Sequence, residues 1–140
     1  MSDRYFVDTN VLVYAYDSSE PVKKQLARNL IRDGIRNERA AISVQVLGEF
    51  FTVVTRRIDD PFSIDSSQQI IQDLKSMAVV ELDTALVDRA IDTCKRYEIS
   101  YWDGLIVAAA ERAWCNTVYT EDLNSKQVYW NVQAVNPFVS

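Results

Sequence analysis

The sequence contains no histidine. That removes the commonest general base and a common metal ligand. A Ser-His-Asp triad cannot be built within this chain, and neither can phosphodiester cleavage run by paired histidines. Any chemistry must come from carboxylates, metal ions, lysine or tyrosine. Cysteine is scarce: Cys94 and Cys115 are the only two, and neither belongs to a Cys-x-x-Cys pair. Zinc and dithiol chemistry are therefore weak readings. Cys94 shares an apolar helical face with Val87, Ala90 and Ile91, so it reads as a buried small hydrophobe. No apolar run approaches the roughly 20 residues needed to span a bilayer. The first residues lack the basic-then-apolar pattern of a secretory leader. A cytoplasmic protein is the expectation. Positive charge is also in deficit, with a net charge of −5. That is the wrong sign for a nucleic-acid binder, whose phosphate contacts come from a basic surface. Two arrangements escape the objection: acids clustered around divalent metals, or a local basic patch.

What is present is an ordinary globular composition, 48% hydrophobic and 25% charged. A chain of this size buries about 70% of the surface its unfolded form exposes. No linker, repeat or low-complexity tract interrupts it, so residues 1–140 read as one domain. Strand and helix patterns alternate along its length. This predicts an α/β fold, a three-layer α/β/α sandwich around a mostly parallel sheet of four to five short strands.

The first strand is the apolar run Tyr5-Phe6-Val7, which ends at Asp8 and turns into a short apolar segment from Thr9 to Asp17. Ser18-Ser19-Glu20-Pro21 opens the next helix, with a serine before a proline at its start. That helix carries Val22, Leu26, Leu30 and Ile31 at helical spacing, and Gly34 is a candidate end. It also carries Lys23, Lys24, Arg28, Arg32 and Arg36. These cations are either a solvated helix face or a phosphate-facing surface, and spacing alone does not separate the two. Ala40-Ala41-Ile42 is the second strand, and Ser43 is an N-cap for a helix over 44–57. Its polar line Gln45, Glu49, Thr52, Arg56 lies beside the apolar stripe. Glu49 is then either an exposed helix glutamate or a carboxylate on the rim of a cleft. A helix over 66–77, a strand over 79–82 and a helix over 85–97 capped by Asp83-Thr84 follow. Ser100-Tyr101-Trp102-Asp103 opens a helix that is apolar on most sides, so it should be central. Ser100 and Asp103 have capping-box spacing. Asp103 can cap the helix and still turn one oxygen to a cleft. Residues 116–120 form a fourth strand that ends in Glu121-Asp122, and 131–135 a last short one.

Asp8, Glu49, Asp103 and Asp122 thus follow strands or open helices. In open parallel sheets ligands sit outside the carboxyl ends of the strands. Gathering four carboxylates without cations is costly, because like charges disfavour one another's ionised forms. A hard divalent ion removes the cost, since Mg²⁺ and Mn²⁺ prefer oxygen ligands. Such a cluster suits metal-assisted phosphodiester hydrolysis, with one or two ions. It needs no histidine.

The chain resembles the PIN domain family, and within it the VapC-type toxin ribonucleases of toxin–antitoxin pairs. The resemblance rests on Val7-Asp8-Thr9-Asn10-Val11-Leu12, on Glu49 in Val46-Leu47-Gly48-Glu49-Phe50, and on Tyr101-Trp102-Asp103 with Leu105-Ile106-Val107-Ala108-Ala109-Ala110. Thr120-Glu121-Asp122-Leu123 and Val135-Asn136-Pro137-Phe138 complete it. These stretches run in the family's order over essentially the whole chain. The resemblance implies a PIN-like fold and an Mg²⁺- or Mn²⁺-dependent endoribonuclease. It implies Asp8, Glu49, Asp103 and Asp122 as catalytic metal-site acids, with Asn10 and Thr120 as supporting polar groups and Thr9 in the turn that aims Asp8. Asp122 is preferred to Glu121 because the family's acid stands two residues after the threonine. It further implies an RNA substrate, a homodimer and a cognate antitoxin protein. Lys23, Lys24, Arg28, Arg32 and Arg56 are the candidate RNA contacts, and the run from Lys23 to Arg39 together with Arg56-Arg57 would offset the negative charge.

Three other readings stay open. A PIN nuclease can act outside a toxin–antitoxin pair. A phosphatase of the haloacid-dehalogenase type uses a nucleophilic aspartate at a strand end, although its second acid two residues on is replaced here by Asn10. A non-catalytic binding module would leave the acids without a task.

Overall fold

The computed structural model describes residues 3–139. The first strand, β1 (Tyr5–Val7), is buried at every position. A strand covered on both faces reads as a continuous apolar run, which is what Tyr5-Phe6-Val7 is. The chain continues into α1 (Thr9–Tyr14), α2 (Pro21–Arg36), β2 (Ala40–Ser43), α3 (Val44–Arg56), α4 (Ile64–Leu74) and β3 (Ala78–Val80). It then forms α5 (Thr84–Tyr97), α6 (Tyr101–Arg112), β4 (Thr117–Tyr119), β5 (Val128–Tyr129) and β6 (Val132–Val135). The fold is α/β, with a mostly parallel sheet and helices on both sides.

The strand order is β3-β2-β1-β4-β6-β5. All neighbours are parallel except the β5–β6 pair. The chain lays β2 and then β3 to one side of β1, then crosses to place β4 and β6 on the other. Parallel crossovers are right-handed, so this reversal sends α1–α4 to one face and α5–α6 to the other. The strand order turns at β1 and β4, and a cleft opens outside their carboxyl ends.

Several ends of elements are decided by side chains that the sequence names. Ser43 Oγ accepts from the Val46 amide at 3.3 Å and starts α3. Ser100 Oγ accepts from the Asp103 amide at 3.1 Å and starts α6. The cap of α5 is Asp83, whose carboxylate accepts from the Leu86 amide at 2.8 Å. Arg112, at the far end of α6, donates to the same carboxylate at 2.8 Å. The two helices therefore run antiparallel, and the start of α6 is delivered to the cleft. Gly104 permits their approach: a Cβ there would stand 2.7 Å from the Ala90 carbonyl oxygen and 2.9 Å from Cys94 Sγ. From Gly104 to Ala110 every residue of α6 is buried, the central helix its composition predicts.

The differences from expectation are local. The sheet has six strands rather than four to five, because β5 pairs back on β6. A two-residue strand carries no periodicity of its own to read. Helix α2 has Glu20 rather than a serine at its cap, with no side-chain cap bond. Ser19 is spent elsewhere, donating from its amide and hydroxyl to Asp17. Helix α4 begins at Ile64 rather than 66 because Ser63 Oγ accepts from the Ser66 amide. Strand β3 stops at Val80, and Leu82 is exposed. Gly34 lies inside α2, two residues before its end. A Cβ there would meet Ala40 Cβ and the Tyr5 hydroxyl, so it marks a close approach rather than a stop. Cys94 is half-buried rather than fully buried, and both cysteines are free.

Candidate active site

Asp8 follows β1 and is 4% exposed. One carboxylate oxygen accepts from the Thr9 amide at 2.7 Å, which makes Asp8 the N-cap of α1. The other accepts from Thr120 Oγ1 at 2.7 Å. Thr120 is fully buried, beyond the end of the neighbouring strand β4. Its hydroxyl also accepts from the Asp122 amide at 3.0 Å. A single buried hydroxyl thus ties the turn after β1 to the turn after β4.

Asn10 adds a second tie. Its Nδ2 donates to an Asp122 oxygen at 2.9 Å, and its Oδ1 accepts from the Glu121 amide at 3.2 Å. Thr9 Oγ1 donates to Glu49 Oε1 at 2.6 Å and holds α3 against α1. Gln45, one turn earlier on α3, donates to Glu49 Oε2 at 3.3 Å and to the Trp102 carbonyl at 3.4 Å. That links α3 to the first turn of α6, where Asp103 stands.

Asp8, Glu49, Asp103 and Asp122 all line one cleft of about 740 Å³. Their fields overlap. Burial pushes the Asp8 carboxyl up to about 7; the hydrogen bonds from Thr120 and Thr9 oppose this, and the charges of Asp122 and Glu49 add to it. Burial also raises the Asp103 carboxyl, against its bond with Ser100, and the charges of Asp122 and Glu49 again add. Among the described residues no three such side chains already stand in an ion-holding cage. Mg²⁺ does not require one: it keeps several waters and takes one or two carboxylates. The donors here are all oxygens, and burial makes the charged form of the carboxylates nearest the core costly. A hard divalent cation fits both facts.

Glu121 is placed differently from Asp122. Its two oxygens accept from Tyr14 OH at 3.0 Å and from Lys23 Nζ at 2.8 Å, and it does not line the cleft. Lys23 also lies over the rings of Tyr14 and Phe138. Its ammonium is a clamp between α2 and the turn after β4.

None of the candidate RNA-contacting cations lines the cleft. Lys23 is held by Glu121. Lys24 donates to Ser18, Arg28 to the Ala15 carbonyl, and Arg32 to Asn29. Arg56 points from the last turn of α3, while its neighbour Arg57, the C-cap, lines the cleft. The polar line on α3 is legible in sequence as far as Thr52, but the last step of that line slips by one residue where the helix ends. Gln45, Gly48 and Trp102 line the cleft as well. Gln45 belongs to the polar line; Gly48 and Trp102 stand inside stretches that carry the family resemblance, but periodicity gives neither a role of its own.

Solved structures with this fold include the Mycobacterium tuberculosis toxin VapC20, described as cleaving the sarcin–ricin loop. It is 18% identical, with a TM-score of 0.65 over 84% of this chain and 89% of that one. A toxin–antitoxin complex from Klebsiella pneumoniae gives a TM-score of 0.69 at 16% identity, over 95% of this chain and 97% of that one. VapBC2 from Rickettsia felis, bound to a promoter DNA fragment, gives 0.66 at 20% identity, over 93% and 96%. No curated protein matches in sequence. A PIN domain family model matches residues 5–131, from the first strand past the last of the four acids. With the strand reversal at β1 and β4 and the acids gathered above it, that match over most of the chain makes it a member of the PIN domain family.

Proposed function

We propose that this protein is a metal-dependent endoribonuclease that hydrolyses RNA phosphodiester bonds, and that it serves as the toxin of a toxin–antitoxin pair. The observation that carries the reading is the convergence of Asp8, Glu49, Asp103 and Asp122, with Asp17 beside them, on one cleft in a chain with no histidine. Structural relatives described as a toxin and as toxin–antitoxin complexes support the wider role. Membership of the PIN family, and an Asn10 that bonds Asp122 where a dehalogenase-type site would carry its second acid, favour this reading over a dehalogenase-type nucleophile.

Asp8, Asp103, Asp122 and Glu49 would hold Mg²⁺ or Mn²⁺. Such an ion lowers the pKa of an attacking water and offsets charge on the phosphoryl oxygens. The chain's own work is positional. Thr120 and the Thr9 amide fix both oxygens of Asp8. Asn10 aims Asp122, and Thr9 with Gln45 aims Glu49. Lys23 and Tyr14 keep Glu121 out of the cluster. This limits the negative charge that must be neutralised there.

Asp8→Asn and Asp103→Asn should each abolish Mg²⁺-dependent RNA cleavage while the circular dichroism spectrum is retained. Undiminished cleavage by both variants would sink the assignment. The toxin role is tested by co-expressing the product of the adjacent reading frame, which should bind this protein and relieve growth arrest. A homodimer is the expected state in sedimentation.

A further inference from the structure

Trp102 is 60% exposed although it carries the largest apolar surface of any side chain. The three tryptophans of the chain are treated very differently. Trp130 is engaged on its face by Arg89, 3.7 Å from the ring centroid, and through its ring nitrogen by Thr93. Trp114 lies by a separate hollow with Arg89, Glu111 and Arg112. Trp102 alone lines the cleft that holds the four acids, next in sequence to Asp103. Its ring is not loose. Tyr101 packs edge-on against it at 4.9 Å, with an interplanar angle of 77°. Gln45 holds its backbone carbonyl, and the capped first turn of α6 holds its Cα. A flat apolar face is fixed in place at the rim of a polar cleft.

Gly48 is the second observation. Glycine inside a helix weakens it, and the other two glycines of the chain are explained by close contacts. Gly48 is not: a Cβ there would meet nothing within 4 Å. It lies on the cleft wall of α3 between Gln45 and Thr52, next to Glu49. The wall from Gln45 to Arg57 is about 18 Å long at the helical rise per residue. A side chain is missing from it where no protein atom needs the room.

We propose that the cleft contains a nucleobase subsite, in which an unpaired base of single-stranded RNA stacks on Trp102 beside the catalytic acids and the strand passes over the bare backbone at Gly48. The proposal rests on the nuclease reading for its substrate class. Aromatic faces hold single-stranded bases by stacking, largely regardless of base identity. A duplex would present no free base face to the ring. Arg57, at the far end of the same wall, meets the phosphates that continue the strand. The net negative charge is then tolerable, because part of the affinity comes from stacking rather than from phosphate pairing.

The test uses labelled single-stranded oligonucleotides of A, U, G or C, titrated by fluorescence anisotropy in the Asp8→Asn background so that no cleavage competes. Trp102→Ala should weaken binding by about 5- to 150-fold, the measured range for removing one stacking platform. Trp102→Phe should restore most of it. In the otherwise wild-type enzyme Trp102→Ala should raise KM and leave kcat and calorimetric Mg²⁺ binding near their starting values. A single abasic position moved along the oligonucleotide should lower affinity sharply at one site, and that loss should vanish when Trp102 is already alanine. Gly48→Ala should raise Tm and weaken RNA binding together. Unchanged affinity in Trp102→Ala, additive losses with the abasic oligonucleotide, or absence of binding to all four oligonucleotides overturns the proposal. So does a changed sedimentation coefficient in Trp102→Ala, which would assign the ring to a contact with a second copy. An enzyme that binds in the predicted way but hydrolyses no RNA with Mg²⁺ or Mn²⁺ would support the subsite and remove the nuclease reading.

Discussion

Asp8 sits where function and stability oppose one another. Its carboxyl is buried, and it titrates near 7 in the fold against an ordinary 3.8. A folded pKa above the unfolded one means that the native state binds the proton more tightly. The group's contribution is therefore most favourable below about pH 4 and is lost as pH rises to about 7. At one pKa unit per 1.36 kcal/mol, the burden above neutrality is on the order of 4 kcal/mol. We expect Asp8→Asn to stabilise the metal-free protein by about 2–4 kcal/mol near pH 8, with the difference vanishing toward pH 4. Urea denaturation across that range measures it. A variant that is inactive yet more stable would mark strain held for function.

Glu121 and Asp122 are adjacent acids with opposite fates. In sequence they differ only by their distance from Thr120. In space Glu121 faces Lys23 and Tyr14, whereas Asp122 faces the cleft. Asp122→Asn should lower kcat by orders of magnitude. Glu121→Gln should leave kcat within a few-fold and lower stability only slightly, because exposed ion pairs contribute little. Equal loss of activity in the two variants would mean that both acids act on the reaction.

At the scale of elements, Gly48 on the cleft face of α3 and Gly104 in the contact between α6 and α5 make a paired test. Replacing either with alanine gains about 1 kcal/mol of helix propensity. At Gly48 nothing opposes the gain, so Gly48→Ala should raise stability by about 0.5–1 kcal/mol. At Gly104 the added methyl collides with the Ala90 carbonyl across α5. Gly104→Ala should lower stability by about 1–3 kcal/mol, as overpacking does. Thermal melts of the two variants, moving in opposite directions, check both statements. The elements themselves were largely legible. Ser43, Asp83 and Ser100 announce their helices by chemistry that acts within three residues. The shifted limit of β3 arises where a boundary depends on pairing with a distant segment, whereas α4 starts early on its own Ser63 cap and β5 is too short to show a period before it folds back on β6. The Glu20 cap departs from expectation because Asp17 captures Ser19.

At the scale of the whole molecule, the cleft exists because the chain reverses its direction of travel across the sheet. The reversal sets the turn after β1 against the turn after β4. Thr120 and Asn10 then stitch residues 112 positions apart in sequence. A divalent cation that binds only the folded protein stabilises it by mass action, about 2.7 kcal/mol at a hundredfold excess over Kd. Mg²⁺ should therefore raise the Tm, and Asp8→Asn should abolish most of the rise. A Tm indifferent to Mg²⁺ and Mn²⁺ would count against the metal site. Among the described residues no helix is long and apolar enough to cross a membrane.

The sequence by itself determined what kinds of atoms the site can use. Without histidine and with few cysteines, oxygen donors were the only substantial set, and the hydrophobic periodicity already placed Asp8, Asp103 and Asp122 at element ends and Glu49 on the helix after the second strand. These are local properties, carried by single residues and their near neighbours. Only the tertiary structure decided which side chains share a cleft. It turned Glu121 away and Asp122 inward, tied Lys23, Lys24, Arg28 and Arg32 to partners within the chain, and brought Arg57 in where α3 ends. It also left Trp102 bare beside Asp103. Those outcomes depend on where helices stop and which strands become neighbours, and long-range packing sets both.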